Sequence, residues 1–391
     1  MGHLSNAPPA AQAGVPDHPA AMFSRRPRGF ASDNMAGASP EVIAAIAACN
    51  TGLALPYGHD DLSQRLQRKV SDIFEREVSV FLVSTGSAAN ALSLATLTPP
   101  WGSVLSHAEA HINRDECGAP EFYTNGAKLV QLPGPQGRMD LAVLKVQSRK
   151  MVGDVHSVQP SSVSISQATE LGTLYSLDEI AAIGAVCREA GLGLHMDGAR
   201  LANALVALDC SPAEMTWKAG VDVLSLGATK NGAFSVDAVV LFNKDLTSEL
   251  AFRRKRAGQL NSKMRFLAAQ IDAYLDNDLW LRNARQANAM AKALWEGLKL
   301  IPGVELDRAP EANILFGRMS AKIIDGLLAE GFRFYYDRWE PGVVRLVTSF
   351  ATEQADVDDL LAVARTLALP SPEARTHSDD VAKQPGEMGI G

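Results

Sequence analysis

Short apolar runs alternate with helix-forming stretches across the middle of the chain, and this order constrains the fold more than any other feature. "VSVFLV" (78–83) reads as a buried strand, "STGSAAN" (84–90) as the turn after it, and residues 87–97 as a helix. The same order recurs downstream. "SVSIS" (162–166) predicts a strand, and residues 176–191 predict an amphipathic helix with Leu177, Ile180, Ala181, Gly184 and Cys187 on one face. Ser176 and Glu179 have the spacing of a capping box, and Gly191 is placed to stop the helix. "LGLHM" (192–196), "VDVLSL" (221–226) and "VDAVVLF" (236–242) add further strands. Alternation of this kind implies an α/β fold, with a mostly parallel sheet covered by helices on both faces.

Beyond residue 250 the pattern changes. A long helix over 278–301 leads into shorter strands at 312–317 and 343–350 with a helix at 321–331 between them, as expected of a smaller α+β domain. The 391 residues exceed what one hydrophobic core usually serves. The domains expected are a disordered extension (1–28), a large domain with an N-terminal arm (29–275), a small C-terminal domain (276–369) and a disordered tail (370–391).

The net charge of −7 argues against a general nucleic-acid binder, so the basic run "RRKR" (253–256) reads as a solvated or subunit-facing helix surface. No apolar run approaches the ~20 residues that span a bilayer. Cys49, Cys117, Cys187 and Cys210 are scattered, with no CxxC pair and no zinc-type spacing, so no metal is expected. The N-terminal stretch lacks the apolar core of a secretory signal, which predicts a cytoplasmic protein.

Three places suggest chemistry. In "SLGATKNGA" (225–233), Lys230 stands among Gly227, Ala228, Gly232 and Ala233, which leave room for a planar ligand. A lysine desolvated in such a setting is suited to condensing with a carbonyl. "STGSAAN" places Thr85, Gly86 and Ser87 where a strand turns into a helix, and the free amides there suit a phosphate; an ordinary N-cap is the plainer reading. "LHMDGAR" (194–200) puts Asp197 at a strand's carboxyl end, the usual ligand crevice of open α/β sheets. A carboxylate there suits the ring nitrogen of a pyridinium cofactor.

With these blocks, "SDNMAGASPEV" (32–42), "PYGHDDLS" (56–63), "KRAGQLNSKMRF" (255–266) and "VVRLVTSF" (343–350), the chain resembles the β-eliminating lyase group of fold type I pyridoxal-phosphate enzymes, in particular low-specificity L-threonine aldolases. The resemblance spans about 30–369. It implies pyridoxal 5'-phosphate in Schiff-base linkage to Lys230, with Asp197 on the pyridine nitrogen and Thr85, Gly86 and Ser87 at the phosphate. It implies His111 stacked on the ring as candidate base, with His107 a decoy, and Arg265 reaching a phosphate from a neighbouring subunit. Arg200 and Arg345, with Ser32 beside them, are implied to hold the substrate carboxylate, Arg200 contacting the cofactor as well; Tyr57 and His59 are implied to reach the substrate from a subunit-bridging loop. The activity implied is cleavage of the Cα–Cβ bond of β-hydroxy-α-amino acids to glycine and an aldehyde, in a homotetramer with shared active sites and no nucleic-acid or membrane partner. A phenylserine-preferring aldolase, or a racemase or aminotransferase on the same fold, stays open as an alternative. One departure from the family pattern stands out: "SQATELGTLYS" (166–176) has Thr169 and Glu170 and no histidine where some members carry a second one.

Overall fold

The computed structural model describes residues 28–369. The segments 1–27 and 370–391 lie outside the described residues, and with them most of the expected extension and all of the expected tail. Arg28 is the exception. It forms with Gly29 a short strand, β1 (Arg28–Gly29), that pairs in parallel with β11 (Phe332–Arg333).

Seven strands make the large sheet: β2 (Ser79–Val83), β3 (Gly102–His107), β4 (Lys128–Leu132), β5 (Gln159–Ser166), β6 (Gly193–Gly198), β7 (Val223–Leu226) and β8 (Asp237–Leu241). Their order is β2-β8-β7-β6-β5-β3-β4. Only β8 runs against the others, pairing antiparallel with both β2 and β7. The carboxyl ends of β2, β3, β5, β6 and β7 therefore share one edge with the start of β8. Alternation along β6 shows how the sequence divides the two faces: Leu194 and Met196 join the main hydrophobic core, while His195 and Asp197 point the other way. His195, fully buried, lies 2.9 Å from Ser164 Oγ and 2.9 Å from Ser225 Oγ, and burial lowers it to about 4, so the imidazole is a neutral cross-strand tie.

The helix Leu177–Ala190 has the predicted capping box and ends at Gly191, whose φ of 68° is the left-handed conformation glycine tolerates. Its buried face is Ile180, Ile183, Gly184, Val186 and Cys187, rotated from the face expected: Ala181 is exposed. Gly184 lies on both faces, and an added Cβ there would collide with the Ala219 carbonyl.

A second sheet, β9 (Val304–Leu306), β10 (Ile314–Met319), β12 (Tyr335–Tyr336) and β13 (Val343–Val347), is antiparallel in the order β12-β13-β10-β9. It packs with the helices Leu279–Leu298, Ala321–Ala329 and Gln354–Ala368 around a separate core that includes Phe30. Phe30 is tied there by backbone bonds to Arg333 and Val347. The arm that follows Phe30 thus leaves the small core and runs to the edge of the large sheet. No helix among the described residues is long and apolar enough to cross a membrane.

Candidate active site

A cavity of about 600 Å³ opens at the shared strand edge. Its walls include the arm (Asn34 and Ala36 to Ala38), the turn after β2 (Ser84 to Ser87), the end of β6 (Asp197), the turn after β7 (Gly227, Thr229 and Lys230) and the approach to β8 (Ala233 to Ser235). His111 and Glu116, from the segment after β3, close one side. The structure thus brings together Lys230, Asp197, Thr85, Gly86, Ser87 and His111 of the residues expected from sequence.

Thr85 is the N-cap of the helix Gly86–Leu97, its hydroxyl oxygen accepting from the Ala88 amide. The plain cap reading is therefore correct for that side chain. The Gly86 and Ser87 amides, in the first helical turn, have no intrahelical acceptor, and both residues line the cavity. Asp197 Oδ1 accepts from the Ala199 amide at 3.0 Å and Oδ2 from Asn90 Nδ2 at 2.9 Å, leaving each oxygen a lone pair for a further donor. Lys230 follows β7 in a single helical turn, Thr229–Asn231. That turn is anchored by Asp237 at the start of β8, which accepts from the Ala228 amide at 2.7 Å and the Thr229 amide at 3.2 Å. Burial raises the Asp237 carboxyl, against those two bonds and the nearby Lys230 charge. A planar ring bearing an anionic group at one end and a basic nitrogen at the other matches this donor set. Free amides stand at one end and a buried carboxylate at the other, with an amine on the same wall.

Two cations stand behind the arm. Arg200 is buried and grips Asp33 through Nε at 2.7 Å and Nη2 at 3.1 Å. Burial pushes the Asp33 carboxyl up, but the Arg200 and Lys230 charges, with hydrogen bonds from Arg200 and Asn313, hold it below the usual carboxylate range. Arg345 projects from β13, partly exposed, with a buried Nε that has no hydrogen-bond partner among the described residues and Nη2 4.0 Å from Glu170. Burial and repulsion from the like charge of Arg200 lower it. Two guanidiniums of this kind call for an anion that the chain itself supplies only in part. Ser32 does not turn to them: its hydroxyl oxygen accepts from Asn34 and caps the arm's short turn.

Tyr57, His59 and Arg265 stand apart from this cavity. His59 and Arg265 border a second cleft of about 640 Å³ with exposed Leu53 and Leu55, and Arg265 donates to the Thr51 and Gly52 carbonyls. Tyr57 lies on the same loop beneath the Lys255 ammonium. The basic helix Thr247–Arg256 departs from the solvated surface expected at one position: Arg254 stacks on Phe81, and burial lowers its guanidinium to about 10. His107 has both ring nitrogens engaged with backbone, at Gly134 and Glu109.

Asp33, Asn90, Glu116 and Asp237 were not marked by the sequence. Each carried a faint signal: an acid beside Ser32, an amide inside an apolar helix, an acid five residues after His111, and an acid opening a strand.

Comparison with known proteins matches residues 29–321 to the beta-eliminating lyase family. The low specificity L-threonine aldolase of Pseudomonas aeruginosa is 44% identical over 340 residues, covering 87% of this chain and 97% of that protein. A threonine aldolase structure from Leishmania major superposes with a TM-score of 0.81 at 29% identity, covering 87% of this chain and 99% of that one. The histidinol-phosphate aminotransferase of Clostridium acetobutylicum shares the fold, with a TM-score of 0.63 at 14% identity, covering 87% of this chain and 98% of that one.

Proposed function

Because the chain belongs to the beta-eliminating lyase family, we propose that it is a pyridoxal-phosphate-dependent aldolase that cleaves the Cα–Cβ bond of L-β-hydroxy-α-amino acids to glycine and an aldehyde. The observation that carries this reading is the single cavity in which Lys230, Asp197 and the Gly86–Ser87 amides converge. Lys230 would hold the cofactor covalently, Asp197 its ring nitrogen, and Thr85, Gly86 and Ser87 its phosphate. When bound, pyridoxal phosphate supplies a conjugated ring that accepts the electron pair released at Cα.

The chain's own residues do the rest. Arg345 and Arg200 bind the substrate carboxylate, Arg200 held rigid by Asp33, and a carboxylate fixed in plane sets which Cα bond faces the ring. His111 takes the β-hydroxyl proton as the Cβ–O bond becomes a carbonyl and the Cα–Cβ bond breaks. Cα then gains a proton and leaves as glycine. Ser32 acts here through the arm's turn, which places Asp33. Tyr57, His59 and Arg265 would complete the site of a second copy in a cytoplasmic homotetramer, a role supported by the exposed Leu53 and Leu55 beside them.

A panel of L-threonine, L-allo-threonine and phenylserine, scored for aldehyde and glycine against keto-acid formation, tests the reading. Stoichiometric aldehyde and glycine support it. Keto acid without glycine would place the chain with aminotransferases instead.

A further inference from the structure

Behind His111 lies a chain of buried hydrogen bonds that the reaction as described does not use. His111 Nδ1 is 2.8 Å from Glu116 Oε1, and the Glu116 side chain is wholly buried. The same oxygen accepts from Asn90 Nδ2 at 2.8 Å, and Asn90 Nδ2 also donates to Asp197 Oδ2 at 2.9 Å. Both amide hydrogens of Asn90 are thus spent on two carboxylates from different elements, one from the segment after β3 and one from β6. That fixes the amide's orientation, since the reverse would aim its carbonyl oxygen at both acids. Among the described residues, Glu116 Oε2 and Asn90 Oδ1 are buried with no hydrogen-bond partner. Such groups are costly unless the arrangement they support is needed, and four side chains in series couple more strongly than isolated pairs.

From this geometry we infer that Glu116 and Asn90 are positioning residues: Glu116 holds the His111 ring by Nδ1 so that Nε2 serves the cavity, and Asn90 joins that pair to Asp197 as one coupled unit. A ring nitrogen bound to a carboxylate keeps its proton and sets the tautomer of the other nitrogen. The groups that face His111 are Glu116 beside it, Glu170 from the loop after β5 and Asp197 from β6, all acids. The bond to Glu116 raises His111 and burial raises Glu116, so the pair holds its proton together. Asn90 opposes this by stabilising the ionised Glu116.

The two partners therefore act with opposite sign. Removing the acceptor in Glu116→Gln lets His111 lose its proton at lower pH; removing the donor in Asn90→Ala makes the Glu116–His111 pair hold it to higher pH. A general loosening of the fold would not move the two in opposite directions.

The inference deepens the proposed reaction and rests on it for the role of Nε2, but the decisive readout does not. Nitrogen-15 NMR of the His111 ring in cofactor-stripped protein should show Nδ1 protonated at neutral pH. The titration should move down in Glu116→Gln and up in Asn90→Ala. In the holoenzyme, the acidic limb of the pH profile for aldehyde release should move with the same signs, and Glu116→Asp should restore part of the wild-type profile. Should Glu116→Gln not fold, Asn90→Ala and Glu116→Asp still carry the test. Titrations unchanged in the variants, or shifted in one common direction, overturn the inference. Altered titrations in a protein that releases no aldehyde would leave the network standing and remove the aldolase reading.

Discussion

The cavity that holds Lys230 and the cleft beside Arg265 differ little in size, about 600 and 640 Å³, and greatly in construction. The first is walled by buried polar groups with defined partners, Asn90 on Asp197 and Glu116 and Asp237 on the Lys230 turn, with the Asp33–Arg200 pair buried outside its lining. The second is bordered by exposed leucines and by partly exposed ion pairs such as Arg65 with Asp272. Burying polar groups costs free energy unless each finds a partner, so a cavity lined with buried carboxylates and amides, two of whose oxygens have none among the described residues, is there for a reason other than stability. Volume alone would not separate the two clefts.

Substitutions should reproduce that contrast. Lys230→Ala should lower aldehyde release by roughly a thousandfold or more, because among the described residues no other amine stands in the cavity wall; steady-state assay with retained activity would break the assignment. Asp33→Asn leaves Arg200 buried without its counter-charge and should cost about 3–5 kcal/mol in denaturant unfolding. Asp33 is depressed in the fold, so its contribution is present above about pH 4 and is lost as pH falls through its folded value. The gap between Asp33→Asn and wild type should therefore narrow in acid, and a gap that widens there would contradict the pairing. Arg345→Ala should raise KM for the amino acid roughly 10- to 100-fold with a smaller change in kcat, as loss of a charge-assisted bond predicts. At the other cleft, Arg65→Ala should change stability by about 1 kcal/mol at most, the range of an exposed pair. A larger loss at Arg65 than at Asp33 would reverse the comparison.

What could be seen in the sequence follows the same division. Lys230, Asp197 and the 84–87 turn sit at strand ends, where local order already tells which edge they share. The antiparallel run of β8 was not visible, because a short apolar strand carries no direction in its composition. Asp33 and Arg200 are 167 positions apart, and Asn90 and Asp197 are 107 apart, so no local pattern joins them. Arg254 was read with its three basic neighbours, and only the approach of Phe81 from β2 separates it from them. The resemblance placed Tyr57, His59 and Arg265 with the site, and a single chain sets them apart from it.

Borohydride reduction of the holoenzyme followed by peptide mass mapping tests the covalent assignment most directly. The account predicts one added pyridoxyl phosphate mass per chain, on the peptide containing Lys230 and absent from Lys230→Ala. A label on another lysine, or full-strength labelling of the variant, would contradict it.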